Sequence, residues 1–304
     1  MRNKRLKGAL LTISGGLCWG LSGTMGQYLF RHEGMDSRWL VPIRLGGAGI
    51  ILLIFSFMHY GAGKTMKPWT NRRDAIDLMI YGILGVSCCQ LTYFLTIQLS
   101  DAGVATIMQE LAPAVIMVIM CIRQRRAPGL RELSCVVLAV AGIVLITTRG
   151  DFGSLSVSGY AVITGLISAL CVVIYNMYPR RLLLHYPVPL MQAWAFMMGS
   201  ILFSAIFRPW TIAYRPGTFG LFGIAFVILV GNVAAFTLFM SGVKYIGPES
   251  AVLYGFSEPI IAAILTVVLF DTPFTLAGAA GFVMVFIMLA ILSLPEKAGK
   301  EEYL

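Results

Sequence analysis

Residues 102–122 read AGVATIMQELAPAVIMVIMCI, an apolar stretch with a single charged residue, Glu110. A helix needs about 20 predominantly apolar residues to cross the hydrocarbon core of a bilayer, and this stretch has that length. Stretches of the same kind fill most of the rest of the 304 residues. The connections between them are too short for a separate catalytic domain. The sequence therefore predicts a protein that works inside a bilayer.

The composition and the spacing of the apolar stretches predict an all-α membrane protein with ten transmembrane helices. Hydrophobic residues make up 58% of the chain and charged residues 12%, whereas a globular domain carries about 25% charged residues. The mean hydropathy is +0.82. The predicted spans are residues 8–29, 39–60, 75–98, 102–122, 131–148, 157–178, 189–208, 217–244, 249–270 and 275–294. Spans three and four are separated only by the segment Ser100-Asp101-Ala102-Gly103, which overlaps the start of span four. So short a connection predicts a tight helical hairpin.

The positive charges predict the orientation of the chain. Of the 23 Lys and Arg residues, 17 lie in connections that fall inside if both termini are cytoplasmic, and five lie outside. This asymmetry is typical of the cytoplasmic side of membrane proteins. We therefore expect a multi-pass protein of a bacterial cytoplasmic membrane, with both termini cytoplasmic and the first span serving as a signal anchor. The net charge of +9 indicates contact with anionic membrane lipids and not with nucleic acid.

The two halves of the chain resemble each other. A shift of 146 positions without gaps places Gly85 on Gly231 and Pro113 on Pro259. We divide the chain into a first five-helix repeat, residues 1–150, and a second one, residues 151–304. Because five spans is an odd number, the second repeat is expected to enter the membrane inverted. Inverted repeats are typical of secondary transporters, which hold the substrate near the bilayer midplane.

Short motifs spread over the whole chain carry a resemblance to a known family. They are Cys18-Trp19-Gly20-Leu21-Ser22, Arg44, Leu111-Ala112-Pro113 and Ser257-Glu258-Pro259. Through them the chain resembles EamA-type members of the drug/metabolite transporter superfamily. The resemblance implies two inverted five-helix repeats around a central cavity that moves small metabolites, commonly outward. Members often carry an acidic residue just after spans four and nine, but here Asp271 follows span nine whereas basic residues follow span four.

Three ionisable residues lie inside predicted spans, where a charged side chain costs about 2.5–3.5 kcal/mol on insertion scales. Glu110 is near the middle of span four and could exchange a proton, bind a cationic group, pair with Arg44 or form a hydrogen bond with neighbouring backbone. Glu258 could contact the substrate or a proton, or accept hydrogen bonds from backbone groups freed by Pro259. Arg44 lies roughly 7 Å below the outer end of span two. It could bind a substrate carboxylate or pair with an acidic side chain.

Aromatic and amide side chains within the spans are further candidates for lining a substrate cavity, although helix packing would also explain them. Aromatic faces there could hold an organic cation or stack on an aromatic substrate. These candidates are Trp19, Tyr93, Tyr175, Asn176, Trp194, Asn232 and Tyr254. Three prolines at comparable depth would free backbone carbonyls and permit helix kinks. They are Pro42, Pro113 and Pro259.

The leading interpretation is a secondary transporter that exports a small polar, amino acid-like metabolite by alternating access, with protons as a candidate coupling ion. The first alternative is a proton-coupled transporter of an organic cation such as choline. An alternative of another class is a flippase for a lipid-linked substrate. An enzyme is not expected, because no H-E-x-x-H motif, nucleotide-binding loop or intramembrane Asp pair is present. No cofactor and no metal ligand set are predicted.

A fusion experiment tests the predicted orientation. A cytoplasm-active reporter at the C-terminus should be active, and a periplasm-active reporter there inactive, because ten spans return the chain to its starting side. The opposite activities, with the N-terminus shown to be cytoplasmic, would contradict the ten-span count.

Overall fold

The computed structural model describes residues 2–151, 157–178, 180–246, 251, 254–272 and 275–293. Helices occupy most of these residues, and no β-strand occurs in these ranges. We label twelve helices in chain order. They are α1 (Arg2–Arg31), α2 (Ser37–Tyr60), α3 (Ala62–Thr70), α4 (Arg72–Leu99), α5 (Ala102–Arg123), α6 (Leu130–Thr148), α7 (Gly159–Met177), α8 (Arg180–His185), α9 (Val188–Phe207), α10 (218–246), α11 (Ser257–Phe270) and α12 (Leu276–Ser293). The predicted all-α class is confirmed.

Seven helices are long and apolar enough to cross a membrane: α2, α4, α5, α6, α7, α9 and most of α10. Two shorter apolar helices follow, Ser257–Phe270 and Leu276–Ile291. The basic N-terminal helix α1 is not among the seven, so the count of ten spans stays a prediction. The predicted start of span nine, residue 249, and the predicted end of span ten, residue 294, lie outside the described residues.

The connections show features that the apolar pattern did not predict. Short helices α3 and α8 occupy two of them, and a 3₁₀ turn, Pro209–Thr211, follows α9. The hairpin between α4 and α5 has the predicted tightness, since only Ser100 and Asp101 lie between the helices. The side chain of Asp101 accepts a hydrogen bond from the backbone N–H of Val104 at 2.8 Å. This N-cap lets α5 begin directly after the turn.

The described residues depart from regular α-geometry at four places, which form two matched pairs. In α4, residues Ile80–Ser87 form a π-helix, and in α10 residues Val227–Ala234 do the same. The α-geometry of α5 is interrupted at Glu110 and Leu111 and resumes at Ala112. A turn at Phe256 precedes α11 in the same way. A proline lies in the first turn of each helical segment that follows these interruptions, where a missing N–H costs no hydrogen bond.

The main contacts between helices follow the repeat, so each of them has a counterpart when the equivalent helices of the two halves are compared. Helix α2 packs against α9, and α6 packs against α12. Helix α1 packs against α10 and α11, as α7 packs against α4 and α5. The bundle therefore brings α1, α2, α4, α5, α7, α9, α10 and α11 together around its middle, and the α6–α12 pair flanks them.

The α6–α12 crossing depends on two glycines. A Cβ added to Gly142 would lie 2.9 Å from the carbonyl oxygen of Gly281, and one added to Gly281 would lie 2.7 Å from the oxygen of Gly142. The obstacle is backbone in both directions, which cannot rotate away as a side chain can. Small residues at such crossings allow backbones to approach closely in membrane proteins.

Replacing Gly142 by valine should therefore destabilise the protein. We expect Gly142→Val to cost about 1–3 kcal/mol, the usual range for overpacking, measured as a lower melting temperature of the purified protein in detergent. Gly63→Val is the matched control, because a Cβ at Gly63 would meet no atom within 4 Å. An equal loss in both variants would contradict a packing role for the α6–α12 crossing.

Candidate functional site

The two carboxylates predicted to lie within spans are placed at the helix interruptions. Glu110 caps the first half of α5 at its C-terminal end. Glu258 lies in the first turn of α11, where the positive end of the helix dipole favours a negative charge. Both side chains are half-buried, and their charges interact. Neither has a hydrogen-bond or ion-pair partner among the described residues.

A polar network connects α4, α5 and α7 next to Glu110. The Nε2 amide of Gln109 donates to the hydroxyl of Ser168 at 2.7 Å and to the Sγ of Cys89 at 3.1 Å. The hydroxyls of Tyr93 and Thr106 share a hydrogen bond of 3.0 Å. These contacts fix three helices relative to one another beside the acidic pair.

Two tyrosines lie within electrostatic range of the acidic pair. Tyr175 is in range of the charges of both Glu110 and Glu258, and Tyr93 is in range of the charges of Glu258 and Arg44. Close helix approach puts Tyr175 there, since a Cβ at Gly85 of the α4 π-helix would lie 2.8 Å from the Cβ of Tyr175. The site therefore combines two carboxylates with aromatic rings supplied by α4 and α7.

Arg44 does not pair with Glu110, which was one of the structural explanations open from the sequence. Its Nη2 donates instead to the Oδ1 of Asn232 in α10, and its guanidinium lies over the ring of Phe94, 3.9 Å from the centroid. Arg44 and Asn232 are each 2% exposed. The basic and acidic parts of the site are thus separate, with Tyr93 in electrostatic range of both.

Four other predicted residues make their described contacts away from this cluster. Trp19 is half-buried, with its ring 5.1 Å from that of Phe239. Trp194 donates to the carbonyl of Thr65 at 3.0 Å and so holds α3 against α9. The exposed Asn176 donates to Val172 of its own helix at 2.8 Å, and the half-buried Tyr254 lines a shallow groove with the N-terminal part of α1.

The predicted kinks differ in their surroundings. Pro113 and Pro259 follow the interruptions that carry the two carboxylates. Pro42 lies within the continuous helix α2, and the carbonyl of Pro42 accepts a hydrogen bond of 2.8 Å from Ser200 of α9. That bond ties α2 to α9 near Arg44. No group of three His, Cys, Asp or Glu residues that could hold a metal occurs in the part of the chain described here.

Several residues of the site were not predicted from the sequence. Gln109 could have been found, because an amide beside a mid-span carboxylate is itself costly to bury. Ser168, Thr106, Cys89 and Phe94 have no such signal, since small polar and aromatic residues occur throughout the spans. Outside the site, Tyr81 and Gln192 form another buried pair between α4 and α9, with a hydrogen bond of 2.9 Å.

Comparisons with known proteins agree with the geometry. The family model described as the EamA-like transporter family matches residues 6–148 and again residues 159–294. The chain is 30% identical over 291 residues to the uncharacterized inner membrane transporter YicL of Salmonella typhimurium, with 96% of each chain covered. It is 22% identical over 277 residues to an uncharacterized transporter of Archaeoglobus fulgidus, covering 90% of this chain and 94% of the relative. A solved crystal structure shares the fold, with a TM-score of 0.60, 16% identity, and 93% and 95% of the two chains covered.

The α4–α5 turn also borders a small cavity at one end of the bundle, lined by Asp101, Arg149, Thr272 and Thr275 among others. Asp101 is buried there. Burial raises the pKa of Asp101, although the Val104 N–H and the guanidinium of Arg149, 3.8 Å away, act in the opposite direction. The fold therefore favours the protonated form of Asp101, and its contribution to stability is lost as pH rises through the folded-state pKa.

Asp101→Asn should avoid this loss of stability at higher pH, because asparagine keeps an N-cap acceptor and carries no charge. We expect the melting temperature of Asp101→Asn, relative to wild type, to increase between pH 4 and pH 7. Asp36→Asn is a control of opposite sign, since the hydrogen bonds from Arg38 lower the pKa of Asp36. The stability of wild type relative to Asp36→Asn should be lost as pH falls below the unfolded-state pKa of Asp36 and through its lowered folded-state pKa, and should change little above that range. Parallel curves for Asp101→Asn and wild type would contradict the burial argument.

Proposed function

Because the chain belongs to the EamA-like transporter family and is a multi-pass membrane transporter, not an enzyme, we propose that it exports a small amino acid-like metabolite by alternating access. The family implies a small-molecule substrate and a membrane environment. Proton coupling through Glu110 and Glu258 is the further part of the proposal. The observation that carries it is the pair of interacting carboxylates at matched interruptions of two helices.

Matched irregularities in the two halves support an inverted-repeat mechanism. The π-helices begin at Ile80 and Val227, and the interruptions lie at Glu110 and Phe256. Both separations are close to the 146-residue shift that aligns the two halves. Five spans per half would place these elements in opposite directions across the membrane. Two halves of this kind could rock against each other and expose a site at their junction to either side in turn.

The acidic pair suggests how transport and proton movement could be linked. The negative charges of Glu110 and Glu258 repel each other in an environment that screens charge poorly. A proton on either carboxylate relieves this repulsion, and so does an ammonium group of a substrate bound between them. Proton and substrate would therefore compete for one site, and competition of this kind makes a proton gradient able to drive exchange.

Ligand binding to the purified protein is the first experiment. A compound that binds the folded state raises the melting temperature by mass action, so a panel of amino acids, organic cations, sugars and nucleosides can be screened. Stabilisation by amino acids supports the proposed cargo. Stabilisation by choline and related cations alone, lost in Glu110→Gln, would favour the organic-cation alternative instead.

The coupling role of the acidic pair has its own test. In proteoliposomes, Glu258→Gln should lose the part of amino acid flux that a pH gradient drives, because one competing proton site is gone. Exchange between two amino acid pools without a pH gradient should continue. The matched control is Glu132→Gln. Glu132 lies in α6, away from the acidic pair, where it pairs with Arg126 at 2.5 Å and accepts a hydrogen bond from the backbone N–H of Gly129. Unchanged gradient-driven flux in Glu258→Gln would contradict coupling through this carboxylate.

A further inference from the structure

Arg44 is a buried cation whose guanidinium makes two recorded contacts with described residues, one aromatic contact and one hydrogen bond. Its guanidinium packs over the ring of Phe94, which is 1% exposed, and its Nη2 donates to the Oδ1 of Asn232. Helices α2 and α10 approach closely here, because a Cβ at Gly47 would lie 2.8 Å from Cδ1 of Ile228. The pair is therefore held in place by packing and by one hydrogen bond across 188 positions of sequence.

Three nitrogen atoms of this pair have no hydrogen-bond acceptor. They are the Nε and Nη1 of Arg44 and the Nδ2 of Asn232. No carboxylate lies within 4 Å of the guanidinium among the residues that the structure describes. Buried donors are almost always paired in folded proteins, and a buried charge without a counter-ion is especially costly. The arrangement has the donors and the charge of an anion site.

We infer that Arg44 and Asn232 form a subsite that binds the carboxylate of the transported substrate, an inference that rests on the proposed function. The planar guanidinium presents paired N–H groups that match the two oxygens of a carboxylate. Arg44 is the only Lys or Arg within the seven helices of spanning length that lies in the interior of its helix. A single positive charge balances a carboxylate, whereas a phosphate dianion would need a second cation.

The position of this subsite relative to the acidic pair indicates the kind of substrate. Tyr93 is within electrostatic range of both Arg44 and Glu258, so the cationic and anionic parts of the site lie in one region of the bundle. A molecule with a carboxylate at one end and an ammonium group at the other would satisfy both. The inferred substrate class is therefore a zwitterion with the charges of an amino acid.

Binding requires α2 and α10 to separate, since Arg44 and Asn232 are each 2% exposed. Asn232 lies within the π-helix Val227–Ala234. Single π-type turns are frequent at functional sites, and here the wider helix includes the residue that holds Arg44. A shift of this segment would uncover the three unpaired donors together.

Matched ligands test the chemistry of the subsite. Alanine, leucine and phenylalanine would each be compared with the amine that lacks the carboxylate and with the carboxamide. We expect the amino acids to raise the melting temperature of the purified protein and the amines and amides to have no effect. Stabilisation by amines as strong as by amino acids would overturn the inference, and would leave a cation transporter standing. No stabilisation by any carboxylate at millimolar concentration would overturn it as well.

Variants test the residues. Asn232→Asp places a carboxylate of the protein beside Arg44, so we expect a higher melting temperature without ligand and at least about a tenfold weaker amino acid Kd, the effect of losing a charge-assisted hydrogen bond. Arg44→Lys keeps the charge but loses the fork, and should weaken binding by a similar factor. Gln192→Glu is the matched control, because it also converts a buried amide into an acid, next to Tyr81. It should leave the amino acid Kd unchanged.

The outcomes separate this inference from the proposed function. An unchanged Kd and unchanged amino acid flux in Asn232→Asp would overturn the subsite and leave the transporter proposal intact. Amino acid binding that depends on Arg44, without any flux of the bound amino acid in wild-type proteoliposomes, would support the subsite and contradict the proposed cargo.

Discussion

Backbone hydrogen bonding in hydrocarbon is the constraint on which the rest of this structure depends. Without water, each N–H and C=O group must find its partner inside the protein, which favours uninterrupted helices. The chain departs from this at Glu110–Leu111 and at Phe256, and both departures lie where other helices cover them. Leu111 is 3% exposed, and the ring of Phe256 packs on that of Phe286 of α12. The same interruptions position the two carboxylates, so the helices that cover the interrupted backbone also surround the candidate site.

The same constraint explains why only some polar side chains connect different helices. Many threonine hydroxyl groups bond to the preceding turn of their own helix, as Thr12 does to Gly8 and Thr24 to Gly20, each at 2.9 Å. Such residues are satisfied locally and say little about function. Long amides and guanidinium groups that face the interior must reach another helix. Gln27, Gln109, Gln192 and Asn232 all do so, and with Arg44 they account for much of the polar contact between helices.

Much of the fold was predictable, whereas the arrangement of the site was predictable only in part. Most of the long helices follow the predicted spans within a few residues, except at the starts of α1 and α11, because apolar length and the Gly, Pro and charged breaks are local properties. Glu110, Glu258, Tyr93 and Tyr175 were candidates by residue type and depth in a span. The structure places Tyr175 within electrostatic range of both carboxylates and Tyr93 within range of Glu258. Trp194 was a candidate by the same argument, yet its indole bonds to Thr65 in a connection. Depth in a span therefore does not say which way a side chain faces, and packing decides it.

The sequence by itself determined that this is a helical membrane protein, roughly where most of its long helices begin and end, and which charges lie inside them. Those features depend on the free energy of transferring each residue into hydrocarbon, which is summed along the chain and needs no knowledge of neighbours. Only the tertiary structure decided that Arg44 meets Asn232 and not Glu110, and that Gln109 meets Ser168. Such partners depend on the rotation of each helix about its axis and on how closely glycines such as Gly47 and Gly85 let two backbones approach. These are relations between segments far apart in sequence, and they arise only when the helices pack.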